Sequence, residues 1–80
     1  MPALRKSKKD QLAVEIKKLF TDGLIEKGWT QKHLAELMHK EPAMISKAFN
    51  EPFKRDFGFL YDIADKLDVN LGDAFKKGVN

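Results

Sequence analysis

Eighty residues with 15 Lys or Arg against 12 Asp or Glu, a formal net charge of +3, fit one small domain and leave little chain for long structureless insertions. A content of 42% hydrophobic and 34% charged residues argues against disorder, and the lack of cysteine excludes a disulfide framework or thiolate zinc site and fits a reducing, cytoplasmic setting. The basic start MPALRKSKKD is not followed by the apolar run of a signal peptide, and nothing approaches the roughly 20 apolar residues of a membrane span, so a soluble protein is expected.

In chain order, residues 1–9 read as a short basic arm and 10–77 as one helical domain. Arg5, Lys6, Lys8 and Lys9 of the arm suit either a flexible tether along a duplex or a solubilising tail. The first helix is predicted from Lys8 or Asp10 to Lys27, with Leu12, Ile16, Leu19, Phe20 and Leu24 on one stripe. Gly28 ends it, since glycine takes a positive φ at no steric cost. Thr30 then caps a second helix from Gln31 to about His39 that turns Leu34, Ala35 and either Leu37 or Met38 inward.

Pro42 suits the first turn of a third helix, where a missing N–H does no harm, and this helix directs Ile45, Ala48 and Phe49 inward as far as Asn50. NEPFKRD reads as a polar, basic loop broken by Pro52. Phe53 and Phe57, which flank Lys54-Arg55, are expected to close it over the core rather than to stack on bases. Asp56 caps a fourth helix with Phe59 or Leu60, Ile63, Ala64 and Leu67 as its stripe. Asn70 with Asp73 resembles a capping box opening a last short helix that ends near Lys77. The expected fold is an all-α, compact five-helix bundle.

The run Thr30-Gln31-x-x-Leu34-Ala35-x-x-Met38 followed by Ile45-Ser46 resembles the helix-turn-helix of phage-repressor and Cro-like regulators. Phe59-Leu60-x-x-Ile63-Ala64-x-x-Leu67-x-Val69-Asn70-Leu71, ending at Phe75, resembles that family's last two helices, so the likeness covers roughly residues 12–75. It implies a lambda-repressor-like DNA-binding domain whose helices 2 and 3 form the helix-turn-helix. The spacing has its own logic. Leu34, Ala35 and Met38 make one patch, Ile45 faces it, and the small Ala35 lets the helices cross closely. The outer side of helix 3 is then left to enter a major groove about 12 Å wide. One departure lies in the turn: the family usually has glycine where this chain has His39, a residue enriched among non-glycines of positive φ. His33 and His39 are six apart, which is not a helical ligand pair, so neither a metal site nor a cofactor is expected.

With about 100° of rotation per residue, inward Ile45, Ala48 and Phe49 leave Ala43, Ser46, Lys47 and Asn50 outward. The resemblance places base reading on Glu41, Pro42, Ala43 and Lys47. Glu41 could accept from a cytosine amino group, Ala43 touch a thymine methyl, and Lys47 donate to guanine or a phosphate. Met44 either adds apolar contact or is half-buried. The resemblance also gives Gln31, at the start of helix 2, a phosphate to hold, aided by the helix dipole. Lys32, Lys40, Ser46, Lys54 and Arg55 are the further phosphate candidates, and Asn50 suits either capping helix 3 or a backbone contact. Residues 1–55 hold 12 basic and 7 acidic side chains and residues 56–80 hold 3 and 5, so the helix-turn-helix lies in the basic part, as a polyanion partner would require.

The expectation is a small sequence-specific regulator of transcription, of a kind that suits a phage or mobile element. It would bind double-stranded operator DNA as a homodimer, with the contact on the last helix and tail, Leu71 to Asn80, and Phe75 as anchor or as a plug of its own core. The alternative is a module of the same shape that binds another regulator protein, as an antirepressor or antitoxin does. Catalysis is not expected: no Gly-rich phosphate loop and no His–carboxylate arrangement of catalytic spacing occurs.

Overall fold

A computed structural model of the protein describes residues 8–78. It contains α1 (Lys8–Lys27), α2 (Gln31–Leu37), α3 (Pro42–Asn50), a single 3-10 turn (Pro52–Lys54), α4 (Phe57–Leu67) and α5 (Leu71–Gly78), and no strand among the described residues. The chain is thus an all-α bundle of five helices. Of the two starts expected for α1 the earlier is found, so Lys8 and Lys9 are helical rather than part of the arm. Arg5 and Lys6 lie outside the described residues. No described helix is long and apolar enough to cross a membrane.

The core follows the apolar periodicity. Ile16, Phe20 and Leu24 recur every fourth residue along α1 and are buried, with Leu12 and Leu19 packed at their edge. They meet Leu34 and Ala35 of α2, Ile45, Ala48 and Phe49 of α3, Leu60, Ile63, Ala64 and Leu67 of α4, and Leu71 and Ala74 of α5. The rings of Phe20 and Phe49 tilt together at a centroid distance of 5.3 Å and tie α1 to α3. Two open choices are thereby settled. Met38 rather than Leu37 turns toward the core, and Leu60 is fully buried while Phe59 is only partly so.

Three helices end by one device. The N–H groups of Gly28 and Trp29 donate to the carbonyls of Ile25 and Leu24, those of His39 and Lys40 to Glu36 and Ala35, and those of Asp68 and Val69 to Asp65 and Ala64. Each is the paired-bond Schellman closure, which requires a left-handed residue after the helix. Gly28, His39 and Asp68 supply it with φ of 69°, 56° and 57°. This places the end of α2 at Leu37, earlier than the expected His39: once His39 is left-handed, it belongs to the turn.

The starts of α2, α4 and α5 are capped by side chains. The Thr30 hydroxyl oxygen accepts from the His33 N–H at 3.0 Å, and the Asp56 carboxylate from the Phe59 N–H at 3.2 Å. Asn70 opens α5 differently from the box expected with Asp73, its side-chain oxygen accepting from the Gly72 N–H at 2.8 Å. The expected loop after α3 is shorter than the sequence suggested. Pro52 is buried and begins the 3-10 turn, whose last N–H bond runs from Arg55 to the Pro52 carbonyl.

Candidate nucleic-acid interface

Helices α2 and α3 are joined by the turn Met38–Glu41 and pack on each other through Leu34, Ala35 and Ile45, all fully buried. Because Ala35 ends in a methyl group, the α3 backbone can lie close to α2 at that point. Burial of Ile45, Ala48 and Phe49 fixes the rotation of α3. Glu41, Pro42 and Ala43 are exposed at its start, and Lys47 is exposed one turn after Ala43 on the same side. Ala43 and Lys47 therefore share the outer face of α3, while Glu41 and Pro42 are exposed because they stand at its open start. Glu41 precedes the helix with extended backbone and makes no capping hydrogen bond, which leaves its carboxylate outside the helix's own bonding. Met44 is half-buried.

The phosphate candidates fall into separate groups. Gln31, half-buried, and Lys32, exposed, form the first turn of α2. Thr30 occupies the third N–H of that turn, so the N–H groups of Gln31 and Lys32 have no acceptor within the helix. Ser46 and Asn50 pair on α3: the Asn50 amide donates to the Ser46 carbonyl at 3.0 Å and to its hydroxyl at 3.4 Å. Asn50 thus bonds back along its own helix rather than capping the end, and that bond would have to open for a backbone contact. Lys40 stands elsewhere. Its ammonium lies 5.9 Å from the Phe59 ring centroid, beside a cleft of about 250 Å³ formed with Met38, His39, Asp62 and Lys66 that contains none of the other candidates.

Lys47, Lys54 and Arg55 converge on a residue that sequence reasoning did not single out. The Lys54 ammonium bridges the Glu51 carboxylate at 2.9 Å, three residues back across the 3-10 turn. Its hydrogen bond and its charge hold the Glu51 carboxyl below the usual carboxylate range, and Arg55 and Lys47 act in the same direction. The only available signal was an acid amid three bases at spacings of three and four. Arg55 is half-buried, and its Nε is enclosed without a hydrogen-bond partner. Beside this cluster an open cleft of about 230 Å³ runs between α1 and the 3-10 turn, lined by Lys9, Ala13, Asn50, Phe53 and Lys54 among others. Lys9 lies 5.7 Å from the Phe53 ring, which packs on the core edge as a lid. Phe57 is half out in solvent and meets Phe75 edge-on at 6.3 Å, so only Phe53 closes the loop as expected. Phe75 itself is partly buried against the core.

Trp29, which has no role in the sequence reading, organises the entry to α2. Lys27 lies 5.1 Å from its ring and bridges Asp68 at 2.6 Å, while the His33 ring meets it edge-on at 5.3 Å. These contacts fix the start of α2, and with it Gln31, relative to α1 and α4. His33 is thereby a packing partner of Trp29 and His39 a turn residue, and among the described residues no three His, Asp or Glu side chains gather as a metal site would need. The chain matches no protein-family model, no curated protein and no solved structure.

Proposed function

We propose that the protein is a small, non-enzymatic, cytoplasmic DNA-binding regulator that reads an operator through the outer face of α3 and binds as a homodimer. The observation that carries this reading is the exposure of Ala43 and Lys47 on the outer face of α3 and of Glu41 and Pro42 at its start, with Ile45, Ala48 and Phe49 buried on the opposite side against α1 and α2. A helix held this way can enter a major groove without unfolding anything. Gln31 and Lys32 at the start of α2, with Lys54 and Arg55 beyond α3, supply donors and charge for phosphates on either side. Lys40, drawn over Phe59, contributes only if its side chain swings away from the ring. The surface assigned to pairing is α5 with the adjoining edge of α4, where Phe57 is 49% and Tyr61 53% exposed; Val79 and Asn80 lie outside the described residues.

The same two aromatics favour a second reading, in which the module keeps its shape and binds another regulator protein. Selection from a random duplex library across a salt series separates the two. On the DNA reading a palindromic or repeated motif is enriched and binding weakens with salt. Lys47→Ala then relaxes one position of the motif, and Gln31→Ala weakens binding to all sequences alike. Retention without enrichment, indifferent to both substitutions, would overturn the DNA reading in favour of the protein partner.

A further inference from the structure

We infer that Glu51 is an internal counter-anion that competes with DNA phosphate for Lys54, and so lowers sequence-independent affinity; the inference rests on the DNA reading above. Its carboxylate lies 2.9 Å from the Lys54 ammonium, in the field of Lys47 and Arg55, and all four belong to the segment from Lys47 in α3 to Arg55, which caps the 3-10 turn. A negatively charged oxygen thus already stands among the cations that a phosphate would engage.

The backbone holds it there. The Glu51 N–H donates to the Lys47 carbonyl at 2.7 Å and its carbonyl accepts from the Lys54 N–H at 3.0 Å, so acid and base are locked at the two ends of one tight turn. Both side chains are well exposed, Lys54 at 73% and Glu51 at 46%, so the pair is open to exchange with an outside anion. Binding a phosphate through Lys54 requires the carboxylate to be displaced or to remain as a nearby like charge. Either costs affinity on every sequence equally, because phosphates carry no sequence information. Contacts from Glu41 and Ala43 are spared, since neither uses Lys54. Glu51 thereby shifts the balance from grip toward reading.

The experiment compares the full chain, Glu51→Gln, Lys54→Ala, the double variant, and Asp22→Asn as a control. The control removes one acid from exposed α1, outside the Glu51 cleft, for the same change in net charge. The probe is a labelled random-sequence DNA duplex titrated at low and physiological salt. Glu51→Gln is expected to bind about three- to tenfold tighter at low salt, with a log–log salt slope steeper by about 1, as one more phosphate contact requires. Lys54→Ala abolishes that gain in the double variant, and the control shows none. A wild-type chain that binds while Glu51→Gln binds no tighter, or an equal gain from Asp22→Asn, overturns this inference and leaves the DNA reading intact. Absence of binding by every form overturns both.

Discussion

His39 holds φ at 56°, where a side chain with Cβ meets the following carbonyl and only glycine is at ease. The closure of α2 demands that conformation, because the N–H groups of His39 and Lys40 must both turn back to the helix. His39→Gly removes the steric cost but gives the unfolded chain more freedom, so the two effects partly cancel and a gain of about 0.5 kcal/mol is expected. His39→Val adds a β-branch at the worst position and should lose about 1–2 kcal/mol. Denaturant midpoints of the three forms check this, and a Val variant as stable as wild type would mean the turn is not left-handed in solution. The position was legible in the sequence because a tight turn was expected there and His is among the non-glycine residues enriched at positive φ. Asp68 adopts the same conformation, but a single Asp after an apolar stripe carries no comparable signal. Glu51 was legible only as a residue near lysines. Its bridge to Lys54 depends on a turn that the sequence did not announce.

Long amphipathic elements were legible because burial on one side imposes a period: the stripes of α1 and α4 are the ones the spacing predicts. The 3-10 turn was not. Pro52 reads as a breaker in isolation, and its burial comes from tertiary packing that no local pattern encodes. The close meeting of α1 with the end of α4 was equally hidden, and it hangs on Gly23 inside a helix. A Cβ there would come within 3.1 Å of both Leu67 Cβ and Val69 Cγ1. Alanine would raise helix propensity by up to about 1 kcal/mol, but overpacking a fixed contact costs about 1–3 kcal/mol. The Leu67 Cβ moves only with its own backbone, so the contact can be relieved only by shifting α4 against α1, and the clash prevails. Gly23→Ala is therefore expected to lower stability by about 1 kcal/mol, read as a fall in the denaturation midpoint at unchanged slope. An unchanged or higher midpoint would show that the helices can separate by the missing few tenths of an ångström. The exposed face of α3 was legible for a related reason: burial of Ile45, Ala48 and Phe49 fixes which residues of α3 remain outside. How the phosphate candidates group was not, because Lys40, Asn50 and Lys54 each found a partner within the fold.

At the scale of the whole molecule, the proposed reading has a quantitative demand. One copy offers Glu41, Ala43 and Lys47 for base edges, with no Arg, Asn or Gln at the exposed start of α3. A good bidentate base contact discriminates by about 1–3 kcal/mol, whereas specific sites exceed non-specific ones by about 4–10 kcal/mol. A single module with one lysine and one carboxylate falls at the bottom of that interval or below it. Two copies on one duplex double the contacts without changing α3. Rigid pairing also fixes the distance between the two reading helices, so both enter the major groove on one side of the DNA only when the half-sites are about one turn apart. The selected motif should accordingly contain two half-sites with centres roughly 10–10.5 base pairs apart, or a whole multiple of that. Inserting about five base pairs between them rotates one half-site to the far side of the duplex and should reduce affinity to that of a lone half-site. Gel-shift titrations of the two spacings test this directly. If the spacing has no effect, each copy binds alone, and so thin a reading helix could then hold a site only through DNA shape and phosphate grip, with Lys32, Lys54 and Arg55 rather than Lys47 dominating the loss on substitution.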